Sequence, residues 1–370
     1  MPFATTKEGP MNEPGARSLR NVAVIANRGA GKTSLAEAIL LTTGGIPTLG
    51  SVMQGTTASD FEPEEIHHRS SVSTSLLRCS WDHTTINLLD TPRALSLVGE
   101  ANTALQAAYA VILVLSPASG IRSELIRLWS QVKALGLPCL IFVNEPEKES
   151  GSTEELLAAC HRDLDLTPLP MSCVLKDGAQ WVGVLDFVNQ AAVHSRPDTA
   201  KWQHPPVPPG AEATMADARK RIQEAAAECD DQLLEQYLSG AELSQADVLR
   251  GLRAGVQAGT IVPLYAGSAL KNVGTVPLLN AIVELLPSPA ERAHRRPLTG
   301  QDADGGPEVT RAATSEAPFS AVIFKTIIDP FVGRLSYVRV ASGTLQADSL
   351  LYNGTRKIKE KSGHVYQLLG

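Results

Sequence analysis

Apolar residues gather in five short runs: NVAVI (21–25), TINLL (85–89), AVILVL (110–115), CLIFV (139–143) and IVPLY (261–265). Four of the five are near-continuous rather than alternating, the texture of strands buried on both faces of a parallel sheet. Helical segments lie between them at 33–42, about 100–109, 121–135 and 276–286. Alternation of this kind predicts a doubly wound α/β sheet. The fifth run comes more than a hundred residues after the fourth, so a further unit is inserted at about 150–258.

That insert holds the proline-rich stretch RPDTAKWQHPPVPPG (196–210), which excludes helix there. One long helix is expected at about 213–238, because Ala218, Ile222, Ala225, Cys229, Leu233 and Tyr237 step by three or four and form one apolar stripe. Gly240 is placed to end it and Ser244 to cap a short helix that follows. Residues 291–317 have the composition of a linker, and 318–370 read as strands: FSAVIFKTII, RLSYVRVASG, SLLYNG and the basic RKIKEK. Residues 1–19 carry little apolar content and no period, so a flexible tail is expected before a domain at 20–290.

Composition narrows the classes. A chain of 370 residues exceeds one ordinary domain. Its 43% hydrophobic content and 29 glycines are those of a folded protein. The net charge of −6 excludes a simple polycation drawn to nucleic acid, so any RNA contact must come from a local patch. Cys79, Cys139, Cys160, Cys173 and Cys229 are scattered without a C-x-x-C pair and read as reduced thiols. No apolar run approaches the roughly 20 residues of a membrane span, and no secretory h-region opens the chain. A soluble, cytoplasmic protein is expected.

The strongest chemical signal is Ala26-Asn27-Arg28-Gly29-Ala30-Gly31-Lys32-Thr33, which follows a buried strand and opens a helix at Ser34. Gly29 and Gly31 let successive backbone N–H groups point at one anion. Lys32 then reaches the β- and γ-phosphates, and the Thr33 hydroxyl holds Mg²⁺. Ala26 stands where the strict pattern has its first glycine. Asp90 closes a buried strand, the position of an Mg²⁺ partner acting through water. Asn144 ends the next such strand but one, and Ser268-Ala269-Leu270 follow the last. An Asn followed two or three residues later by a carboxylate can grip the edge of guanine, and a small-residue loop can donate to its carbonyl.

In this order the motifs resemble those of the translational GTPases, most closely elongation factor G and its paralogues. GSALKNVGTVPLLNAIVELLPSPAER (267–292) is similar to the last loop and helix of that family's GTPase domain. CDDQLLEQYLSGAELSQADVLRGLR (229–253) resembles its insert, and DPFVGRLSYVRVASGTL (329–345) the opening of its second, β-barrel domain. The resemblance implies a P-loop GTPase domain with an α+β insert, followed by the start of a translation-factor barrel. It implies GTP or GDP with Mg²⁺ at Ala26 to Ser34. Residues 55–73 become the first switch, with Ser71 in place of the family's Mg²⁺-sensing threonine, and Asp90, Thr91 and Pro92 open the second. Asn144 and Glu147 face guanine, and Ser268, Ala269 and Leu270 close it from the other side. The partners implied are ribosomal RNA and the factor-binding stalk proteins, met as a monomer, with no DNA and no membrane. The ATP-using alternative is disfavoured by Asn144 and the Ser268-Ala269 loop.

Departures from the family pattern bear on turnover. The second switch reads Asp90-Thr91-Pro92-Arg93-Ala94 where the family has D-T-P-G-H. Arg93 restricts a backbone that glycine leaves free, and Ala94 cannot orient the attacking water. The base motif N-K-x-D becomes Asn144-Glu145-Pro146-Glu147, and Gly29 replaces an aspartate beside Arg28. A factor that binds nucleotide but hydrolyses it slowly or not at all is expected. The alternative is a non-hydrolysing pseudo-GTPase that docks at the ribosome as a regulatory or protective module. Because the strands at 318–370 supply about half a barrel, a fragment or truncated product is expected.

Overall fold

A computed structural model of the chain describes residues 15–59, 65, 67, 71, 73–92, 98–144, 151–177, 180–196, 199–301, 306–329 and 333–366. Residues 1–14 of the expected tail lie outside these. Residues Arg20–Leu286 form one compact unit, and those from Pro287 belong to another.

In the first unit, the near-continuous apolar runs become the middle of one sheet. Its strands are β1 (Leu19–Ala26), β2 (Ser75–Trp81), β3 (Thr84–Asp90), β4 (Ala110–Leu115), β5 (Cys139–Asn144), β6 (Pro168–Pro170) and β11 (Val262–Gly267), in the order β2-β3-β1-β4-β5-β11-β6. β1, β4, β5, β11 and β6 run parallel, and β2 pairs antiparallel with β3. Every residue of β4 and β5 is buried, as a central parallel strand covered on both faces requires. Helices α1 (Lys32–Thr42), α2 (Val98–Ala107), α3 (Ser123–Leu135) and α4 (Thr153–Leu164) supply the crossovers. The doubly wound α/β expectation holds.

The insert contains a second sheet, order β10-β9-β8-β7, from β7 (Ser172–Asp177), β8 (Gln180–Asp186), β9 (Ala191–Ser195) and β10 (Trp202–Gln203). The single long helix expected at 213–238 is two, α5 (Glu212–Ala227) and α6 (Asp231–Leu238). The Asp230 carboxylate accepts from the N–H groups of Gln232 and Leu233, so it starts a new helix where the apolar stripe runs on unbroken. Ser244 caps α7 (Gln245–Ala258) in a complete capping box with Asp247, but that helix is 14 residues long, not short. α8 (Thr275–Leu285) closes the unit.

In the second unit, residues 291–317 depart from a plain linker. Ser288 caps α9 (Pro289–Arg295), and β12 (Leu298–Gln301) pairs with β13 (Glu308–Arg311) as a hairpin. β14 (Ser320–Asp329) pairs with β15 (Gly333–Ser342), and β16 (Leu350–Asn353) with β17 (Ile358–Lys361), both antiparallel. All five cysteines are free thiols; burial pushes Cys79 and Cys160 up to about 11, which makes them poor nucleophiles. No described helix is long and apolar enough to cross a membrane.

Candidate nucleotide-binding site

The sheet order decides where the chemistry collects. The loops after β3, β1, β5 and β11 all leave from the carboxyl ends of strands that flank the central β4, and the carboxyl edge of such a sheet is the usual location of a ligand crevice.

After β1, the chain turns through Gly29 (φ 84°) and Gly31 (φ 90°), backbone conformations that a side chain strains. Gly31 is doubly constrained, because a Cβ there would fall on the amide nitrogen of Asn144. Ala30 N–H donates to Asn27 at 3.2 Å, and Leu35 N–H to Gly31 at 2.9 Å, so the loop runs directly into α1. Arg28 and Gly29 are exposed, whereas Asn27, Ala30, Lys32 and Thr33 are buried and Ser34 is half-buried. Asn27 Nδ2 donates to the Gly120 carbonyl, while its Oδ1 is buried with no partner among the described residues.

Lys32 Nζ donates to Asp90 Oδ1, with both side chains almost fully buried. Thr33 Oγ1 donates to Asp90 Oδ2 at 3.1 Å and lies 3.5 Å from Ser71 Oγ. The three expected metal positions therefore meet. Two hydroxyls and a carboxylate are hard oxygen donors, which fit Mg²⁺ rather than a thiophilic ion. Of the second switch, Thr91 Oγ1 donates to Val24 at 2.7 Å, which pins its start to β1, and Pro92 is buried. Arg93, Ala94, Glu145 and Glu147 lie outside the described residues, as does much of 55–73.

Asn144 joins the two halves. Its Nδ2 donates to the Ala30 carbonyl at 2.9 Å, and its Oδ1 accepts the Ala269 N–H at 2.9 Å. The pairing of β5 with β11 places Asn144 opposite Gly267, which delivers Ser268 and Ala269 alongside. The turn that follows closes with paired Ser268–Val273 backbone bonds of 2.9 Å and Asn272 at φ 52°. Thr42 Oγ1, at the end of α1, donates to Asn272 at 2.9 Å. The Ser268 hydroxyl is buried without a partner among the described residues, and Leu270 points out, 53% exposed.

Two contributors escaped sequence reasoning. The 116–120 turn holds Asn27, and Glu37 on α1 grips the loop at 50–58. Glu37 had a legible signal: it stands one helical turn after Thr33, on the same face.

Residues 17–288 match the family described as Elongation factor Tu GTP binding domain, and residues 318–370 match Elongation factor G domain 2. The chain is a translational GTPase of the elongation factor G family. A crystal structure of a Thermus thermophilus protein superposes with a TM-score of 0.81 at 30% identity, covering 96% of this chain. This translational GTPase spans 50% of the length of that protein. The first unit falls in the part matched to the GTP binding domain, and the hairpins β14–β15 and β16–β17 fall in the part matched to domain 2.

Proposed function

We propose that the protein binds GTP and GDP with Mg²⁺ at this site, hydrolyses GTP slowly or not at all, and acts in the cytoplasm as a monomer at the ribosome, against ribosomal RNA and the stalk proteins. The Asn144 bridge carries the binding half of the reading. One amide ties the phosphate loop to the Ser268-Ala269 turn, so the phosphate cradle and the base-facing loop are held at a fixed separation.

The roles follow from the positions. Ala26 to Ser34 wrap the phosphates with backbone N–H groups, and Lys32 adds its charge at the head of α1. Thr33, Ser71 and, through water, Asp90 hold Mg²⁺, which neutralises phosphate charge when bound. Asn144, Glu147, Ser268, Ala269 and Leu270 face guanine; with its side chain turned to solvent, Leu270 contributes backbone. Competition among GTP, GDP and ATP at equilibrium, with Mg²⁺ present, tests this half. Guanine nucleotides displace the probe and ATP does not; equal binding of ATP overturns it.

Arg93 and Ala94 support slow turnover. Positioning and electrostatics are nearly all of phosphoryl-transfer catalysis, so the loss of a water-orienting side chain costs orders of magnitude in rate. The same two residues favour a second reading, a pseudo-GTPase that docks at the ribosome without turnover. Phosphate release measured with and without ribosomes separates the two, because robust stimulated release eliminates the pseudo-GTPase.

A further inference from the structure

We infer that Glu37 is a positioning residue for Mg²⁺-dependent nucleotide binding, acting through the segment 50–59 that leads into the expected first switch rather than by touching the ligand. The inference rests on the nucleotide-binding reading above. Glu37 lies outside the phosphate loop, and the residue is 1% exposed. Its Oε2 accepts the Gly50 N–H at 3.0 Å and its Oε1 the Ala58 N–H at 2.7 Å. A buried carboxylate taken up by two backbone donors makes charge-assisted bonds, stronger than neutral ones.

The segment so held is itself closed. Gln54 and Thr56 N–H groups both donate to the Ser51 carbonyl at 3.1 Å, and the Ser51 N–H donates to Thr56 Oγ1 at 3.0 Å. At its far end the Ser59 carbonyl accepts from Ser75 Oγ at 2.7 Å, and Ser75 stands opposite Asp90 in the β2–β3 ladder. Residues 50–59 are therefore clamped on one side to the helix that begins with Lys32 and Thr33, and on the other to the strand pair that carries Asp90. Glu37 and Thr33 share a helical face one turn apart, so the clamp and the metal position belong to one rigid element. Ser71 belongs to the same switch, and its hydroxyl lies 3.5 Å from Thr33. Releasing the clamp frees residues 50–59 without altering any residue of the cradle.

Gly50 offers the same test from the other side. A Cβ there would come within 2.6 Å of the Thr56 carbonyl oxygen and 2.8 Å of the Thr57 Cα, backbone atoms that cannot swing aside. Glu37→Ala, Glu37→Gln and Gly50→Ala are made in the full chain, and affinity for a fluorescent GTP analogue and a fluorescent GDP analogue is measured with Mg²⁺ and with chelator.

Loss of two buried hydrogen bonds to a charged acceptor predicts that Glu37→Ala weakens Mg²⁺–GTP binding about 10-fold or more. Gly50→Ala behaves alike, and Glu37→Gln, which keeps one acceptor, falls between. GDP binding in chelator stays within about twofold, since the cradle is intact, and limited proteolysis cuts faster within 50–59. Equal losses with and without Mg²⁺, or unchanged Mg²⁺–GTP affinity in Glu37→Ala and Gly50→Ala, overturn the role of Glu37 alone. A parent chain that binds no guanine nucleotide overturns the site reading and this inference together.

Discussion

Asn144 shows how little room the site leaves at single positions. Its amide nitrogen occupies the space a Cβ on Gly31 would need, so the glycine serves the approach of two loops as well as the turn. Lys32 and Asp90 are constrained in another way, as a charge pair buried at 3% and 1% exposure. Removing one partner strands the other's charge, a cost of about 3–5 kcal/mol. Lys32→Ala is therefore expected to lose stability as well as nucleotide. The double variant Lys32→Ala with Asp90→Asn recovers much of the stability but no binding. Urea denaturation beside nucleotide titration measures both, and a double variant as unstable as the single one contradicts the pairing. The residue types were legible from the sequence, because a strand, glycines, Lys and Thr in succession have one common use. Their partners were not: nothing in the order of residues says that the Asn144 amide spends its two hydrogen-bonding groups on Ala30 and Ala269.

At the scale of elements, the sequence was most readable where burial is complete. β1, β3, β4, β5 and β11 lie on the five apolar runs because strands covered on both faces favour near-continuous apolar residues. β2 escaped notice since, at the sheet edge, its exposure alternates through SLLRCSW. The break between α5 and α6 escaped for a different reason: the apolar stripe continues across it, while a single cap at Asp230 ends the hydrogen-bond ladder. Caps of this kind carry measurable weight. In the capping box of α7, Ser244 accepts from the Asp247 N–H at 3.2 Å and the Asp247 carboxylate reaches the Ser244 N–H at 3.3 Å. Ser244→Ala is expected to destabilise the protein by about 1 kcal/mol, read as a lower midpoint in urea with an unchanged slope, and Ser244→Thr, which keeps the hydroxyl that donates to Asp247, to recover most of it.

At the scale of the nucleotide-binding unit, carboxylates from separate elements act on one another. Burial, then the negative charges of Asp186 and Asp82, raises Glu284 from the ordinary 4.5 to about 6. A carboxyl whose folded-state value is raised favours the fold while protonated, so its contribution is complete below about 4.5 and disappears as pH climbs through about 6. Glu284→Gln removes the ionisation. The variant is expected to be more stable than the parent above about pH 6, with the difference closing as pH falls toward 4.5. Urea unfolding across that range checks it; a constant difference at all pH values contradicts a titrating Glu284.

Read along the chain alone, the Gly-rich turn between β1 and α1, the apolar runs of the buried strands and the family are already legible. These are local properties: periodicity, glycine placement and capping act over a few residues, and each leaves its mark within a short window. Folding adds what the chain order does not hold: Asn144 beside Ala30 and Ala269, the convergence of Thr33, Ser71 and Asp90, and the closing of Glu37 on Gly50 and Ala58. Those meetings depend on the order of strands in the sheet and on which face of α1 meets which loop. Both are set by the packing of the whole core, and many local sequences satisfy the same packing.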